Sequence, residues 1–183
     1  MKYLLSMLLI LLLGACSTLQ VERDYNPEFN FSALASYAIV HNTEAEEDAL
    51  KNGRIIRALK SVMGAKGYRE APRATADFLV LFHTRVRSRT RIDTDYEFVG
   101  LYPYRWYGYY APMAMTTRVS TYDEEKLIVD VVSPEGNQIV WRAMATDRTR
   151  YLDTPEERIA YINEVIAALL ESFPSRNAGR EQQ

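Results

Sequence analysis

The chain has 183 residues, of which 22 are Lys or Arg and 24 are Asp or Glu, so its formal net charge is −2. A nucleic-acid-binding domain normally carries a basic excess, and this balance argues against nucleic acid as a partner. The length suits a single domain with a sizeable core. The only cysteine has no partner for an intramolecular disulfide, so the core must hold the fold by itself.

The first sixteen residues follow the pattern of a bacterial lipoprotein leader. Lys2 provides a short positive region, and an almost wholly apolar run follows over residues 4–13. That run is too short to span a bilayer, which takes about 20 residues, but it suits the apolar part of a secretory signal. Residues 13–16, Leu-Gly-Ala-Cys, resemble a lipobox. The alternative is an ordinary secretory signal followed by an incidental cysteine.

The lipobox-like segment predicts that cleavage gives a mature protein that is held on a membrane by its first residue. The signal peptide would be residues 1–15, and Cys16 would be the lipidated residue. Several acyl chains on one cysteine hold a protein firmly, whereas one chain binds only marginally. Ser17 in place of an Asp favours the outer membrane, with the domain facing the periplasm.

The first half of the mature chain predicts a tether, a strand and a helix. Residues 16–35 have mixed composition and are interpreted as the lipidated cysteine and its tether. Residues 36–40 predict a first strand. Apolar residues recur at spacings of three and four over residues 47–65, which predicts an amphipathic helix that ends near Gly67.

The second half is predicted to be rich in strands. Residues 78–82 are apolar on both faces and predict a central strand, which continues half exposed beyond residue 82. Two further strands are predicted over residues 116–122 and 126–132, with a turn at Asp123-Glu124-Glu125 between them. A return strand over residues 138–146 completes a hairpin.

A last helix completes the predicted domain. Residues 154–157 form a capping box with Pro155 at the first helical position, and the helix ends before Pro174. The order β-α-β-β-β-β-α predicts an α+β fold in which two helices cover an antiparallel-dominated sheet of about five strands. The single domain would occupy residues 36–174, followed by a polar tail over residues 175–183.

Four sequence blocks together resemble the bacterial lipoproteins of the domain-of-unknown-function family 4136 (DUF4136). The blocks are Asp24-Tyr25 with Tyr37-Ala38-Ile39-Val40, Gly67-Tyr68 with residues 76–80, residues 127–130 with 140–142, and Phe173-Pro174. The resemblance implies a cell-envelope lipoprotein with a small α+β domain. It implies no activity and supplies no catalytic residue.

The candidate binding surface combines two neighbouring features. Arginines alternate along one side of the strand that leaves the core, and aromatic residues fill the loop after it. These residue types are enriched at binding hot spots, and guanidinium groups bind carboxylate or phosphate. The alternative is a solvated strand face beside a loop that folds onto its own sheet. The candidate residues are Arg85, Arg87, Arg89, Arg91, Tyr102, Tyr104, Trp106, Tyr107, Tyr109 and Tyr110.

The sequence contains no recognisable catalytic, cofactor or metal signature. The only histidines, His41 and His83, lie on separate predicted elements. Asp77 is interpreted as the end of a strand, and Asp130 as an ion-pair partner of Arg142 across the hairpin, rather than as acid–base catalysts. No cofactor and no metal are therefore predicted.

Three classes of function remain open at this point. The favoured one is a non-enzymatic cell-envelope lipoprotein, anchored by N-terminal acyl chains, that binds or scaffolds a partner. The second is a glycan- or lipid-binding module that uses the aromatic and arginine-rich region. The third is a hydrolase with an unrecognised site. Partners other than the membrane would be an envelope protein, a glycan or an anionic polymer.

Overall fold

The computed structural model describes residues 19–41, 49–98, 113–134 and 138–176. The signal peptide, Cys16, the polar tail beyond residue 176 and the aromatic loop residues lie outside the described residues. The loop residues concerned are Tyr102, Tyr104, Trp106, Tyr107, Tyr109 and Tyr110.

The described chain forms one six-stranded mixed sheet with two α-helices. The strands are β1 (Gln20–Tyr25), β2 (Ser36–Val40), β3 (Arg69–Glu70), β4 (Phe78–Phe98), β5 (Met113–Ser133) and β6 (Gln138–Arg148), and the helices are α1 (Ala49–Ala65) and α2 (Pro155–Leu170). The strand order is β1-β6-β5-β4-β2-β3. Strand β2 runs parallel to β3 and β4, and the other pairs are antiparallel. The predicted α+β class is confirmed, with a mixed sheet of six strands.

The segment predicted as a tether contains strand β1, so that prediction is wrong for residues 20–25. Strand β1 pairs antiparallel with β6, from Gln20 opposite Thr146 to Tyr25 opposite Trp141. The segment is polar because it forms the exposed edge of the sheet, and edge strands commonly carry charged side chains. The folded domain therefore begins well before residue 36.

The predicted turn at Asp123-Glu124-Glu125 is also wrong. These residues lie inside β5, where residues 123–125 pair with residues 86–88 of β4. The predicted strands at 116–122 and 126–132 are one continuous strand. The three carboxylates are tolerated within it because each one has a polar or basic partner on its own face of the sheet. Arg89, Lys51 and Ser88 bind Glu124, Glu125 and Asp123 respectively.

Both helices cover the same face of the sheet and form the main core with it. Trp141, with 2% of its surface exposed, lies edge-on to Phe173, their ring centroids 5.2 Å apart. Ile139, two residues earlier on the same strand, is 48% exposed. A β-bulge between Val131 and Val132 changes the register there, so that Val140 takes a buried position instead.

Local signals in the sequence explain how both helices are bounded. Helix α2 begins with the predicted capping box, in which Thr154 and Glu157 bind each other's backbone N–H groups. Helix α1 ends at Ala65, and Gly67 turns the chain away from it with a φ of 89°, which only glycine adopts readily. Here Tyr68 donates its backbone N–H to the Met63 carbonyl, as in a Schellman motif. No helix in the described part of the chain is both long and apolar enough to cross a bilayer.

Candidate functional site

The most prominent feature of the surface is a two-stranded extension of the sheet. Strand β6 pairs with β5 only from residue 124 onwards, and β2 pairs only with residues 78–81 of β4. Residues 88–98 of β4 and 113–123 of β5 therefore pair only with each other among the described strands, and we call this part of the hairpin the arm. At about 3.3 Å per residue, the arm is roughly 35 Å long.

The arginine stripe follows one face of the hairpin from its base onto the arm. Arg85 and Arg87 lie at the base, and Arg89 and Arg91 lie on the arm, all exposed. The structure thus brings these four predicted residues together on the face opposite the helices. Arg89 donates through Nε to Glu124 at 2.9 Å, and Arg91 to Asp93 at 2.8 Å. Arg85 and Arg87 form no ion pair with any described residue.

Next to the stripe, an aromatic ring is held between charged groups. The hydroxyl of Tyr122 donates to Glu124, the same carboxylate that Arg89 binds. The guanidinium of Arg148 lies 4.6 Å from the centroid of the Tyr122 ring, which is a cation–π distance. This cluster fixes the base of the arm and adds a further cation to the basic face.

The opposite face of the hairpin exposes apolar side chains. Ile92 lies directly opposite Val119, and each is 65% exposed. Val86, nearer the base, is 59% exposed. Because side chains alternate along a strand, these three residues lie on the face of the sheet that the two helices cover beyond the base of the arm. The hairpin therefore presents a basic surface on one side and a partly apolar surface on the other.

A second feature is a cavity of about 300 Å³ between the two helices and strands β4 to β6. Its walls combine apolar side chains with charged and hydroxyl groups. The buried carboxylate of Asp147 accepts hydrogen bonds from the Tyr161 hydroxyl at 3.0 Å and from Arg150. Burial, and then the charge of Asp147, raise the pKa of Tyr161 well above its usual value, so its hydroxyl remains a donor. Lys51 forms an ion pair with Glu125 at the same cavity.

The two aspartates singled out in the sequence have structural surroundings. Asp130 is paired with Arg142, as predicted. The Oδ2 atom of Asp77 accepts from the Ser36 hydroxyl and from the backbone N–H groups of Ala35 and Ser36, all within 3.0 Å. These bonds, first that from the Ser36 hydroxyl, lower the pKa of Asp77. The carboxylate thereby joins the start of β2 to the start of β4.

The two histidines are not brought together with other metal-binding groups. The ring of His41 packs against Phe82, with centroids 5.1 Å apart, and His83 is exposed on β4. Within the described ranges, no three His, Cys, Asp or Glu side chains are grouped closely enough to hold a metal ion. The cavity, by contrast, was not predicted, because its lining comes from five elements that lie far apart in the sequence.

The described fold and surface define a small α+β domain with two helices on one side of a mixed sheet and a long exposed hairpin. The family model described as "Domain of unknown function (DUF4136)" matches residues 21–175, so the chain belongs to the DUF4136 family. The predicted family is thereby confirmed. The sequence matches none of the curated proteins.

Solved structures that show similarity to this chain come from several bacteria. A PDZ domain protein from Parabacteroides distasonis ATCC 8503 has a TM-score of 0.55 at 10% identity, over 86% of this chain and 36% of that one. This chain thus spans about a third of that protein. A DUF4136 family protein from Bacteroides thetaiotaomicron VPI-5482 has a TM-score of 0.49 at 14% identity, over 87% and 98% of the two chains. A PelC dodecamer from Paraburkholderia phytofirmans has a TM-score of 0.46 at 14% identity, over 83% and 94%.

Proposed function

We propose that the protein is a non-enzymatic cell-envelope lipoprotein whose domain binds or scaffolds another envelope protein through the arm. The lipobox-like segment ending at Cys16 supports anchoring by acyl chains to the outer membrane, with the domain facing the periplasm. The partner surface is the arm together with the arginine stripe at its base.

The observation that carries this proposal is that no other described strand pairs with the arm. A two-stranded hairpin is marginally stable in water unless something packs on it, and long unpaired strand edges readily pair with another chain. The described side chains from Arg85 to Ile92 and from Thr116 to Thr121 are all exposed. An arm of this length is therefore expected to gain stability from a bound partner.

The chemistry of the two faces favours a protein partner. The arginines can form bidentate hydrogen bonds with carboxylates, and Ile92 and Val119 provide an apolar contact on the other face. A purely anionic polymer would use the basic face but leave the apolar pair uncovered. The expected partner therefore contacts both sides of the arm, with an acidic patch against the arginines and an apolar patch against Ile92 and Val119.

Site-specific photo-crosslinking in living cells tests the proposal. A photoreactive side chain replaces Ser120 on the arginine face, Thr90 on the other face, or Ser61, an exposed residue of α1 that serves as the control. Discrete adducts are expected from positions 90 and 120 and not from position 61. Equal adducts from all three positions, or none from the arm, would contradict the proposal.

A charge variant separates specific binding from chance proximity. Replacing Arg85, Arg87, Arg89 and Arg91 by Ser should remove the adducts from position 120. Added salt should weaken them in the unmodified protein, since exposed charges are screened over about 8 Å at physiological ionic strength. Adducts that persist in the charge variant would show that the arginines do not form the contact.

A further inference from the structure

We propose that the cavity between the helices and the sheet binds a small organic anion with an apolar body. The cavity measures about 300 Å³, which lies at the lower end of the range for small-molecule sites. None of its lining residues belongs to the arm, and the proposal does not depend on the arm's having a partner.

The apolar part of such a ligand would meet a continuous apolar wall. Strands and helices both contribute to it, and several of its members belong to the main core. These side chains are Leu19, Ile55, Leu127, Ala145, Ile162 and Val165. Burying the apolar body of a ligand against this wall favours binding, because it removes apolar surface from water.

The lining of the cavity carries an excess of positive charge, which favours a negatively charged ligand. Four cationic side chains line the cavity, against two carboxylates. The carboxylates are already paired, Glu125 with Lys51 and Asp147 with Arg150. Two positive charges, those of Arg54 and Arg158, are left without a carboxylate partner among the described residues.

These two arginines are suited to hold an anionic head group. Arg158 donates from Nε to the Leu152 carbonyl at 3.0 Å, which holds its side chain beside the cavity while other donors of the guanidinium stay available. Arg54 is half-buried in the lining and forms no hydrogen bond with a described residue. A carboxylate, sulfonate or phosphate between them would receive charge-assisted hydrogen bonds.

Three probes of one shape and different charge test the inference. Phenylbutyrate, phenylbutanol and phenylbutylamine share an apolar body and differ in the head group. The full chain is held in detergent-free nanodiscs of zwitterionic lipid, so that neither detergent nor anionic lipid competes. Binding is measured by equilibrium dialysis, and the uptake by empty nanodiscs is subtracted. We expect phenylbutyrate to bind most tightly and the amine least.

Paired arginine variants locate the binding. The double variant Arg54→Gln/Arg158→Gln should weaken phenylbutyrate binding at least about tenfold, because it removes both charged donors that would hold the carboxylate. The control is Arg57→Gln/Arg69→Gln, which removes two exposed arginines outside the cavity and should leave binding unchanged. Circular dichroism verifies that both variants stay folded.

Four results would overturn the inference. The first is equal binding of the three probes, and the second is an equal loss of binding in the two arginine variants. The third is binding that survives when Ala145→Phe fills the cavity in a folded protein. The absence of phenylbutyrate binding to the unmodified chain would also count against it.

Discussion

Arg142 on β6 donates two hydrogen bonds to Asp130 on β5, from Nε to Oδ1 at 2.6 Å and from Nη2 to Oδ2 at 2.8 Å. The Asp130 side chain is only 3% exposed, whereas that of Arg142 is 48% exposed. The hydrogen bond to Asp130 is the main cause of the raised pKa of Arg142. The pair therefore neutralises a buried carboxylate on the face of the sheet that the helices do not cover.

Breaking this pair from the arginine side should destabilise the domain. Arg142→Ala leaves the Asp130 carboxylate buried without its charged donor, and we expect a loss of about 1.5–3 kcal/mol in the free energy of unfolding. Urea denaturation measures the loss. Arg118→Ala, at an exposed position of β5, is the matched control and should change stability by less than about 0.5 kcal/mol. Equal effects of the two variants would contradict the assigned role.

Trp141 is expected to be a main contributor to the core. Trp141→Ala should cost about 3–5 kcal/mol, because it removes a buried aromatic side chain that packs against Phe173. Trp141→Phe should cost less, since a ring remains. The control is Ile139→Ala, two residues earlier on the same strand but 48% exposed, which should cost about 1 kcal/mol or less. A denaturation midpoint unmoved by Trp141→Ala would contradict the packing.

The hydrogen bonds to Asp77 predict a pH dependence of stability. The pKa of Asp77 in the folded protein lies below its usual value of 3.8. Its stabilising contribution is therefore complete above about pH 3.8 and is lost as the pH falls through the lower, folded-state value. Asp77→Asn should destabilise the protein at pH 7, and the difference from the unmodified protein should shrink with acidification.

The control for this pH effect is a carboxylate on the surface. Glu164→Gln, at an exposed position of α2, should leave the loss of stability at acid pH unchanged. Thermal unfolding followed at steps between pH 7 and pH 2 gives both curves. A constant difference between Asp77→Asn and the unmodified protein at every pH would show that the carboxylate charge is not what stabilises this junction.

The elements with a local physical cause were predictable from the sequence. The capping box of residues 154–157 specifies where α2 begins, and Gly67 specifies where α1 ends, since both signals depend on neighbours in the chain. The pairing of Asp130 with Arg142 was predictable too, because a short hairpin fixes which residues face each other.

The remaining features depend on contacts between distant segments. Residues 123–125 were predicted to form a turn because they are three consecutive acidic residues. The partners that let them lie inside a strand, such as Lys51 and Arg89, come from other elements. Strand β1 was missed because an edge strand is polar and pairs with β6, more than a hundred residues later. The cavity was missed for the same reason, since residues such as Arg54 and Arg158 line one cavity only after the helices pack on the sheet.

The anchoring hypothesis predicts a mass and a location. The mature protein should begin at Cys16 and carry acyl chains, because the segment ending at Cys16 resembles a lipobox. Cys16→Ser should abolish both the added mass and the recovery of the protein with the membrane fraction. Mass spectrometry and cell fractionation test this, and Ser17→Thr is a control that leaves the lipidated residue intact. The anchoring hypothesis would be refuted if the protein with the wild-type sequence carried no acyl mass.

The arginine stripe should matter more for binding than for stability. Its two ion pairs, of Arg89 with Glu124 and of Arg91 with Asp93, have arginines that are more than half exposed. Exposed pairs add little to stability because solvent screens them, and Arg85 and Arg87 have no ion-pair partner among the described residues. Replacing all four arginines by Ser should therefore leave the urea denaturation midpoint almost unchanged.

The same variant should lose the crosslinks that the arm forms in cells, and the two measurements together decide what the stripe does. Loss of crosslinks in a folded protein means that the stripe contacts the partner. Unfolding would mean instead that the arginines hold the hairpin together, through cross-strand contacts such as that of Arg89 with Glu124. A companion variant that replaces only Ile92 and Val119 by Thr keeps every charge and removes the apolar contact, so a loss confined to it would assign the binding to the opposite face of the arm.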